Sequence, residues 1–481
     1  MSTKTLMTGL MSGAIGLSLG GIAVTEPGAA AVSPSSRQLA SRRLLAPGKQ
    51  LFSQSEVSLP SLSATPRVSS AGIQSLRQWC WQKDTLPAAT QVTIQALLKV
   101  AKTQDCAQAE QHLAQLPELT LTGEGTPIQD LRPISALTQL TALHLPYNQI
   151  TDLQPLAALK KLKVLNLAWS FQLQDLRPIA GLDQLTTLIV TSAPLSDIQP
   201  LEGLTNLTEL RLESTRVSDL RPLKALPLLH LYLGDNQIKD LSPLQALRQV
   251  QTLSLRANQV TDLRPLAGLP NLRLLNLEVN RQLRDLYPLS SLKTLEVLNL
   301  RFNDQIRNLA PLSGLQQLTQ LDIASTGARD LRPLSGLKLL RELDISSLQV
   351  RQLEALSSLT SLARLQATDN QIRDLRPLSK LWQLQTLYLD RNQLSDLRPL
   401  TALKQMVRLS LQGNRINDLR PLAALPRLTH LNLAQNRVTG LTPLMGLKKL
   451  QQLQLWENPG LGTRCPVKPA ICEFEFRPNP S

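Results

Sequence analysis

The sequence predicts an α/β repeat protein, a curved solenoid with a parallel sheet on its concave side and short helical or 3-10 segments on its convex side. One observation is the motif L-x-L, which recurs sixteen times between Leu119 and Leu455 at intervals of about 22 residues, with Val, Ile or Ala in place of the second Leu in four of the sixteen. Another is composition, because 42% of the 481 residues are hydrophobic but only 3% are aromatic. A core made almost entirely of leucine indicates one packing environment that is used many times.

Each repeat assigns its residues to distinct layers. In L-x-L the leucines of a short strand point inward and the residue between them points outward. An Asn follows in ten of the sixteen repeats, where its amide can hydrogen-bond backbone groups inside the coil. A D-L-x-P element then recurs from Asp130 to Asp418, in which Asp can cap a turn and Pro can begin a helical or 3-10 segment. One repeat cannot bury its own leucines, so stacked repeats must share a continuous core, which we place at residues 118–458.

The N-terminal region carries the features of an exported protein. Residues 1–31 contain a positively charged start, an apolar run from Leu6 to Val24, and Ala29 and Ala31 spaced as in a signal-peptide cleavage site. An uncleaved membrane anchor is the alternative, since about 19 apolar residues can just span a bilayer, although the glycines in this run weaken a helix. Residues 32–72 are rich in Ser, Pro, Gln and Arg and are expected to form a disordered linker.

Residues 73–117 are expected to form a helical N-terminal cap. Asp84 or Thr85 can cap a helix that has Pro87 in its first turn, and Asp105 can cap a third, short helix. The repeats would then begin directly after this cap.

The four cysteines lie at the two ends of the repeat array. Cys80 and Cys106 precede the repeats, and Cys465 and Cys472 follow them within an expected C-terminal cap and tail at residues 459–481. One pair at each end suggests disulfides in an oxidising compartment, of which the first would tie the first helix of the cap to the third. Neither pair has CxxC spacing, so no metal site is expected.

The pattern L-x-L-x-x-N-x-I-x-D-L-x-P-L-x-x-L, seen from Leu431 to Leu447 with Gly440 in place of the Asp, resembles the bacterial and phosphatase-regulator class of leucine-rich repeats that contains the internalins. The resemblance implies a leucine-rich-repeat solenoid that binds proteins on its concave face. The ending LWENPG, followed by two cysteines, resembles the C-terminal cap of secreted bacterial repeat proteins. No wall-sorting motif or immunoglobulin-like domain accompanies the repeats, so wall anchoring and host invasion are not part of what the resemblance implies.

Aromatic side chains are sparse on the expected concave face, so each one is a candidate contact for a partner. Tyr147 and Trp169 occupy the same position in adjacent repeats, with His144 nearby. The alternative interpretation of Trp169 is that it covers an irregular turn, where Phe171 is an extra residue. Further candidates along the array are Tyr232, Phe302, Tyr388 and Trp456.

Asp322, Glu342 and Asp344 form a second candidate group. Asp322 and Asp344 hold the same position in adjacent strands, so they should lie about 5 Å apart, close enough to raise a pKa or hold a cation. The simpler interpretation, which we favour, is a solvated acidic patch offset by Arg364. His144 and His230 are four repeats apart and cannot share a metal, and no cofactor is expected.

The net charge of +15 raises the question of nucleic acid as a partner. Acidic side chains outnumber basic ones at the concave positions, so the excess positive charge lies elsewhere. The arginines of the D-L-R-P elements lie on the turn towards the convex side, each close to its own Asp and to the neighbouring Asp. Because few aromatic side chains are available for stacking, nucleic acid is not expected as a partner.

The sequence therefore predicts a secreted or periplasmic scaffold of the bacterial envelope that binds a protein or peptide through its concave face. It is not expected to be an enzyme, because no catalytic group assembles, and no stable membrane span is expected after removal of the signal. Two other functions remain open. Concave aromatic side chains with flanking Asp and Asn would suit an envelope glycan, and an uncleaved N-terminus with reduced cysteines would suit an intracellular phosphatase regulator.

Overall fold

A computed structural model describes residues 75–462, 465 and 471–475. The signal peptide expected at residues 1–31 and the linker expected at residues 32–72 lie outside this part of the chain. Among the residues described, no helix is both long and apolar enough to cross a bilayer.

In this part of the chain, three helices precede the repeats: α1 Leu76–Trp81, α2 Ala88–Ala101 and α3 Cys106–Leu113. Ser75 and Gln78 form a reciprocal capping box at the start of α1. Asp105 accepts hydrogen bonds from two backbone N–H groups at the start of α3, which confirms its predicted role. A disulfide between Cys80 and Cys106 ties α1 to the first residue of α3.

The start of α2 differs from the prediction. Asp84 and Thr85 belong to a separate 3-10 turn, and Pro87 takes the N-cap position of the helix. The fixed φ of proline suits this position, and its missing N–H costs little where the backbone N–H groups have no partner within the helix. Further along α2, the hydroxyl of Thr93 donates to the backbone carbonyl of Asp130 at 2.7 Å and thereby holds the helix against the first repeat.

The repeats contribute one long parallel sheet. Among the described residues, sixteen three-residue strands pair in chain order, and a two-residue strand follows them at the C-terminal end. The central leucines of neighbouring strands are direct partners, as Leu321 is with Leu343, so each position of the repeat forms a row across the sheet. The strands are β1 Glu118–Thr120, β2 Ala142–His144, β3 Val164–Asn166, β4 Thr187–Ile189, β5 Glu209–Arg211, β6 His230–Tyr232, β7 Thr252–Ser254, β8 Leu274–Asn276, β9 Val297–Asn299, β10 Gln320–Asp322, β11 Glu342–Asp344, β12 Arg364–Gln366, β13 Thr386–Tyr388, β14 Arg408–Ser410, β15 His430–Asn432, β16 Gln452–Gln454 and β17 Cys472–Glu473.

Opposite the sheet, the chain of each of the first fifteen repeats runs through a short 3-10 segment. The D-L-x-P element sets its start, because the Asp side chain accepts a hydrogen bond from the backbone N–H two residues later, as Asp262 does from Arg264 at 2.9 Å. Pro lies in the first turn of every such segment except Glu354–Leu356. The 3-10 segments are Lys83–Thr85 before α2 and, in the repeats, Arg132–Ala136, Gln154–Ala158, Arg177–Ile179, Gln199–Leu201, Arg221–Leu223, Ser242–Ala246, Arg264–Leu266, Tyr287–Ser291, Ala310–Gly314, Arg332–Gly336, Glu354–Leu356, Arg376–Lys380, Arg398–Ala402, Arg420–Ala424 and Thr442–Leu444.

The core lies between the sheet and the 3-10 segments. The leucines of each L-x-L motif are buried as predicted, and Leu298 and Leu300 are both 0% exposed. At the C-terminal end, β17 pairs with β16, and the carboxylate of Glu473 accepts hydrogen bonds from Gln452 and Gln454 at 3.1 Å each. A disulfide joins Cys465 to Cys472 there, so each end of the array has one cysteine pair.

A ladder of Asn side chains satisfies the backbone inside the coil. The amide of Asn258 donates to the carbonyls of Leu233, Leu255 and Arg256, and its Oδ1 accepts from the N–H of Ile238. All ten Asn residues predicted for this role donate to backbone carbonyls in the same way. Each Asn bonds to its own repeat and to the preceding one, so the ladder also holds successive repeats together.

Three repeats carry one extra residue, and the structure places it in the turn after the strand. There the N–H of Leu173 bonds to the carbonyl of Ser170 to close an additional turn, and the other two repeats do the same. In a repeat without the extra residue, the equivalent N–H donates to the Asn of the next repeat, as that of Ile238 does to Asn258. Two of the three following repeats have Ala193 or Thr326 instead of Asn. The third has Asn303, whose buried Oδ1 has no hydrogen-bond partner among the described residues.

Candidate functional site

The sheet presents one surface, here called the strand face, which consists of the outward-pointing residues of β1–β16 and the two residues after each L-x-L motif. All ten residues that the sequence proposes as partner contacts lie on it. His144, Tyr232, Asp322, Glu342, Asp344 and Tyr388 belong to strands, whereas Tyr147, Trp169, Phe302 and Trp456 belong to the turns that follow strands.

Tyr147, Trp169 and Phe171 form one cluster, here called the aromatic cluster. The rings of Tyr147 and Trp169 are stacked, with centroids 5.5 Å apart and planes 8° apart. Phe171 meets Trp169 edge to face, with centroids 6.0 Å apart. Tyr147, Trp169 and Phe171 are 48%, 41% and 64% exposed. Trp169 therefore stacks on Tyr147 and also packs against Phe171, the extra residue of the irregular turn.

The backbone under the aromatic cluster does not favour these side chains. Tyr147 and Trp169 have φ angles of 61° and 63°, because the turn before the Asn ladder adopts the left-handed conformation in nearly every repeat. A bulky residue in this conformation costs roughly 1–2 kcal/mol, which Gly would avoid. Next to the cluster, a Cβ on Gly123 would collide with the carbonyl oxygen of Tyr147. The turn itself therefore gives no reason for a Tyr or a Trp, which makes the cluster a candidate for function.

His144 lies near the aromatic cluster in sequence, but its polar contact is with a different residue. Its Nε2 is 3.4 Å from the carboxylate of Glu118 on the neighbouring strand, and its side chain is only 15% exposed. Among the described residues, no group of three or more His, Cys, Asp or Glu side chains is arranged to hold a metal ion.

The remaining aromatic candidates are spread along the strand face and do not form a second cluster. Three of them each have an arginine guanidinium over the ring, at 4.4 Å for Tyr232 with Arg211, 4.7 Å for Phe302 with Arg301 and 5.4 Å for Tyr388 with Arg364. Trp456 is half-buried in the last repeat.

The predicted solvated acidic patch is wrong. Asp322 and Asp344 are only 4% and 3% exposed. One oxygen of each accepts a backbone N–H two residues later, at 2.8 Å and 2.9 Å. The ion-pair partner is Arg301 rather than Arg364, and its Nη1 lies 3.7 Å from Asp322 and 3.3 Å from Asp344. We call Asp322, Asp344 and Arg301 the acidic cluster; Glu342 stays half-exposed beside it.

Burial dominates the electrostatics of the acidic cluster. Desolvation, with the charge of Asp344 as the next cause, raises the pKa of Asp322 to about 7, against the opposing effects of the Ala324 N–H and of Arg301. Burial also raises the pKa of Asp344 above its ordinary value. Asn276 and Asn299 hold the same position in the two preceding repeats and accept the same backbone hydrogen bond. An uncharged amide can therefore serve the structural role of Asp322.

The arginines of the D-L-R-P elements pair within their own repeats. Arg264 Nη2 lies 2.7 Å from Asp262, and its side chain is 83% exposed. The other seven such arginines also form their ion pair with the Asp of the same element, and the Asp of the next repeat is close enough to add an electrostatic attraction at Arg132, Arg177 and Arg398. The reason for this pairing is geometric, since the Arg is only two residues from its own Asp and the pair closes around one turn.

Sequence reasoning missed two features of the strand face. One is Arg301, whose side chain reaches Asp322 and Asp344 on the next two strands. An alignment of the repeats places Arg301 in the repeat before that of Asp322, and this position was the signal by which the contact could have been predicted. The other is a depression of about 270 Å³ near the C-terminal end. Its polar and aromatic lining comes from Asp390, in the turn after a strand, and from the positions on either side of the central leucine in four neighbouring strands: Tyr388, Arg408, Ser410, His430, Asn432, Gln452 and Gln454.

Comparison with known proteins supports the same class of fold. A family model of leucine-rich repeats in two copies matches residues 138–181, 248–292, 360–402 and 404–444. No curated protein matches the sequence. An internalin, inlF of Listeria monocytogenes, has a similar structure, with 29% identity, a TM-score of 0.56 and coverage of 73% of this chain and 98% of that one.

Two further solved structures are similar. A leucine-rich-repeat protein of Leptospira interrogans is 25% identical, with a TM-score of 0.57 and coverage of 76% of this chain and 92% of that one. The functional domain of InlJ from Listeria monocytogenes, which includes a cysteine ladder, is 24% identical, with a TM-score of 0.55 and coverage of 80% and 75%, a likeness of fold alone. With its L-x-L strands and its Asn ladder, the chain is a leucine-rich-repeat protein with repeats of about 22 residues, and the solved structures to which it is similar include internalin-like bacterial proteins.

Proposed function

We propose that this protein is an exported scaffold that binds a protein or peptide through its strand face, with the aromatic cluster as the main anchor. The observation that carries the proposal is the cluster itself. Three large apolar side chains remain between 41% and 64% exposed, on a turn whose backbone disfavours Tyr and Trp. Exposed Tyr and Trp are the side chains that most often dominate the energy of protein interfaces.

The rest of the strand face would contribute secondary contacts. Tyr232, Phe302 and Tyr388 each have one ring face covered by an arginine, which leaves the rest of the ring for a partner. Glu342 beside the acidic cluster, and His144, would act at the rim, where charges mainly alter association rate and salt dependence. Strands about 4.8 Å apart place Trp456 roughly 60 Å from the aromatic cluster, so a partner that contacts both must be large or extended.

Export is supported by the two ends of the chain. The first 31 residues have the composition of a signal peptide, and both cysteine pairs form disulfides, which persist in oxidising compartments. N-terminal sequencing of the natural protein should find a start near Val32, and alkylation without reductant should modify no cysteine. A retained N-terminus or rapid alkylation of all four cysteines would favour the intracellular alternative.

A glycan is the second candidate ligand of the strand face. It is favoured by the depression of about 270 Å³, where the ring of Tyr388 lies among the hydrogen-bonding side chains of Asp390, His430 and Asn432. Sugars are bound by this combination of an aromatic surface and polar groups. A glycan array with wild type and Tyr388→Ala tests it, and binding that Tyr388→Ala abolishes would favour this ligand over a protein.

The decisive experiment is a pull-down from the native envelope fraction, followed by affinity measurements with the captured partner. Tyr147→Ala with Trp169→Ala should weaken binding by about 2 kcal/mol or more, because aromatic anchors are lost. The matched control is Tyr287→Ala with Trp382→Ala, which removes a Tyr and a Trp that are 73% and 58% exposed and lie outside the strand face. If the control pair abolishes binding and the cluster pair does not, the binding side has been assigned wrongly.

A further inference from the structure

Five consecutive repeats carry an arginine at one position, the residue immediately before the D-L-x-P element or its variant. In the other repeats this position holds Gln, Thr, Ser, Asn or, once, Lys. The pattern is therefore confined to the middle of the array. The residues, here called the arginine stripe, are Arg284, Arg307, Arg329, Arg351 and Arg373.

The arginine stripe lies on the flank of the solenoid at which the strands end. All five side chains are exposed. The sheet holds successive repeats about 4.8 Å apart, so the stripe presents five cations in single file over about 20 Å. This surface differs from the strand face, and its arginines differ from those of the D-L-R-P elements.

The positive charge of the stripe is not neutralised by ion pairs. Among the salt bridges within residues 75–462, none involves a stripe arginine, whereas the neighbouring Arg332 and Arg376 bind Asp330 and Asp374 at 2.8 Å and 2.7 Å. Three stripe arginines donate instead to a Gln of the next repeat, as Arg351 does to Gln371 at 2.8 Å. A Gln carbonyl orients the guanidinium without cancelling its charge.

The acidic residues around the stripe are few. Two of its five repeats have Asn308 or Gln352 where the others have the Asp of D-L-x-P. Asp330 and Asp374 are bound by their own arginines, which leaves Asp285, Asp304 and Glu354 as the carboxylates within three residues of a stripe arginine.

A depression of about 530 Å³ interrupts the middle of the stripe, with Arg307 and Arg329 in its lining. Gly327 takes the place of the Gln in this repeat, so the next repeat offers Arg307 no such acceptor. A Cβ on Gly327 would lie 2.6 Å from the carbonyl oxygen of Asp304 and 3.1 Å from Cγ of Arg307, so the close approach requires Gly. Arg307 therefore borders an open, polar space with its charge available.

We propose that the arginine stripe binds a linear anionic polysaccharide, one that carries carboxylate or sulfate groups, along the flank of the solenoid. Guanidinium groups suit such anions because they are planar, always charged and weakly hydrated. A single file of cations matches an extended chain better than the two-stranded backbone of duplex DNA. The proposal is independent of the partner of the strand face.

The test compares two triple variants of the full chain that lose the same charge. Arg307→Ser, Arg329→Ser and Arg351→Ser remove the centre of the stripe. Arg264→Ser, Arg398→Ser and Arg420→Ser remove three exposed arginines of D-L-R-P elements, each paired with its Asp. Binding of a labelled heparin oligosaccharide, a polygalacturonate oligomer, a neutral dextran oligomer and a DNA duplex is measured by fluorescence anisotropy over a range of salt concentrations.

The stripe triple should weaken binding of the heparin and polygalacturonate oligomers by about tenfold or more at low salt and flatten its salt dependence, because direct charge contacts are lost. The control triple should stay within about twofold of the wild type, and dextran should not bind. Equal weakening by both triples would overturn the proposal, as would DNA binding that depends on the stripe while neither acidic oligomer binds. Thermal unfolding checks that both triple variants fold, and the charge-preserving triple Arg307→Lys, Arg329→Lys and Arg351→Lys should retain part of the affinity.

Discussion

Two pairs of residues on the strand face have opposite surroundings. Tyr147 and Trp169 lie near its start, and Asp322 and Asp344 lie at its middle. In each pair, the two residues hold the same position in adjacent repeats. The aromatic rings stack on each other and stay 48% and 41% exposed. The carboxylates are almost fully covered, and both their oxygens have partners within the protein. The first pair leaves much of its apolar surface open to solvent, whereas the carboxylates of the second pair already have hydrogen-bond and ion-pair partners within the protein.

The difference follows from the layer of the repeat in which each pair lies. Asp322 and Asp344 are third residues of strands, and the strands stand only about 4.8 Å apart, so neighbouring side chains cover them. Tyr147 and Trp169 lie in the turn after the strand, where the left-handed backbone directs side chains beyond the sheet. In this solenoid, a polar strand residue is therefore often structural. The row of left-handed residues in the turns after the strands, here called the turn row, is the better place to look for a side chain that contacts a partner.

The largest expected effect tests whether both regions rest on the same core. Leu167→Ala under the aromatic cluster and Leu300→Ala beside the acidic cluster should each lower the free energy of unfolding by about 2–5 kcal/mol, because both leucines are 0% exposed. Thr252→Ala on the strand face is the control and should cost little. Chemical denaturation measures all three, and a Leu300→Ala loss no larger than that of Thr252→Ala would refute the assignment of inward and outward residues.

The second prediction isolates the burial of the acidic cluster. The pKa of Asp322 in the folded protein lies above that of an unfolded Asp, so stability should fall as pH rises from the ordinary carboxyl range towards about 7, and then stay constant. Asp322→Asn keeps the backbone hydrogen bond and removes this fall. It should raise the free energy of unfolding at pH 8 by roughly 1–3 kcal/mol and by much less at pH 5.

The control for this variant is Asp330→Asn, whose exposed carboxylate has its pKa lowered by hydrogen bonds from Arg332. It should give no gain at pH 8. Urea unfolding at several pH values decides between the two, and a loss of stability in Asp322→Asn at pH 8 would mean that the ion pair with Arg301 outweighs the desolvation of the carboxylate.

A smaller effect separates backbone strain from ring packing in the turn row. Val279 has a φ of 58° in the same turn position as Trp169. Val279→Asn should stabilise the fold by roughly 0.5–1 kcal/mol, because Asn tolerates the left-handed conformation better than a β-branched residue. Trp169→Asn relieves the same strain but loses the stacked ring, so it should not stabilise. Equal gains in thermal unfolding would show that the aromatic cluster contributes nothing to folding and serves binding alone.

The smallest expected effect concerns the convex side. Arg264→Ala with Arg332→Ala should leave both the unfolding midpoint and partner binding unchanged, because these arginines are 83% and 87% exposed and their ion pairs are screened by solvent. A measurable loss of partner affinity in this variant, with the aromatic cluster intact, would move the binding surface away from the strand face.

The sequence alone determined the structural features that follow from the length of its repeat. A repeat of about 22 residues with L-x-L, Asn and D-L-x-P fixes which residues face the core, because every repeat solves the same packing problem. The Asn ladder, the capping role of Asp and the row shared by Tyr147 and Trp169 were all predicted in this way. The cysteine pair at each end was predicted as well, since the repeats between them contain none.

Only the tertiary structure decided how far neighbouring side chains cover one another. Asp322 is an outward residue by its phase, but the strands beside it and Arg301 remove it from solvent, which turns a predicted patch into a buried cluster. The same holds for the arginines of the D-L-R-P elements. Their position in the repeat places them in one row, but local geometry decides that each forms its ion pair with the Asp of its own repeat. The repeat period determines whether a side chain points inward or outward, because this direction follows from the backbone. Burial and ion pairing depend instead on the size and reach of side chains from two or three repeats at once.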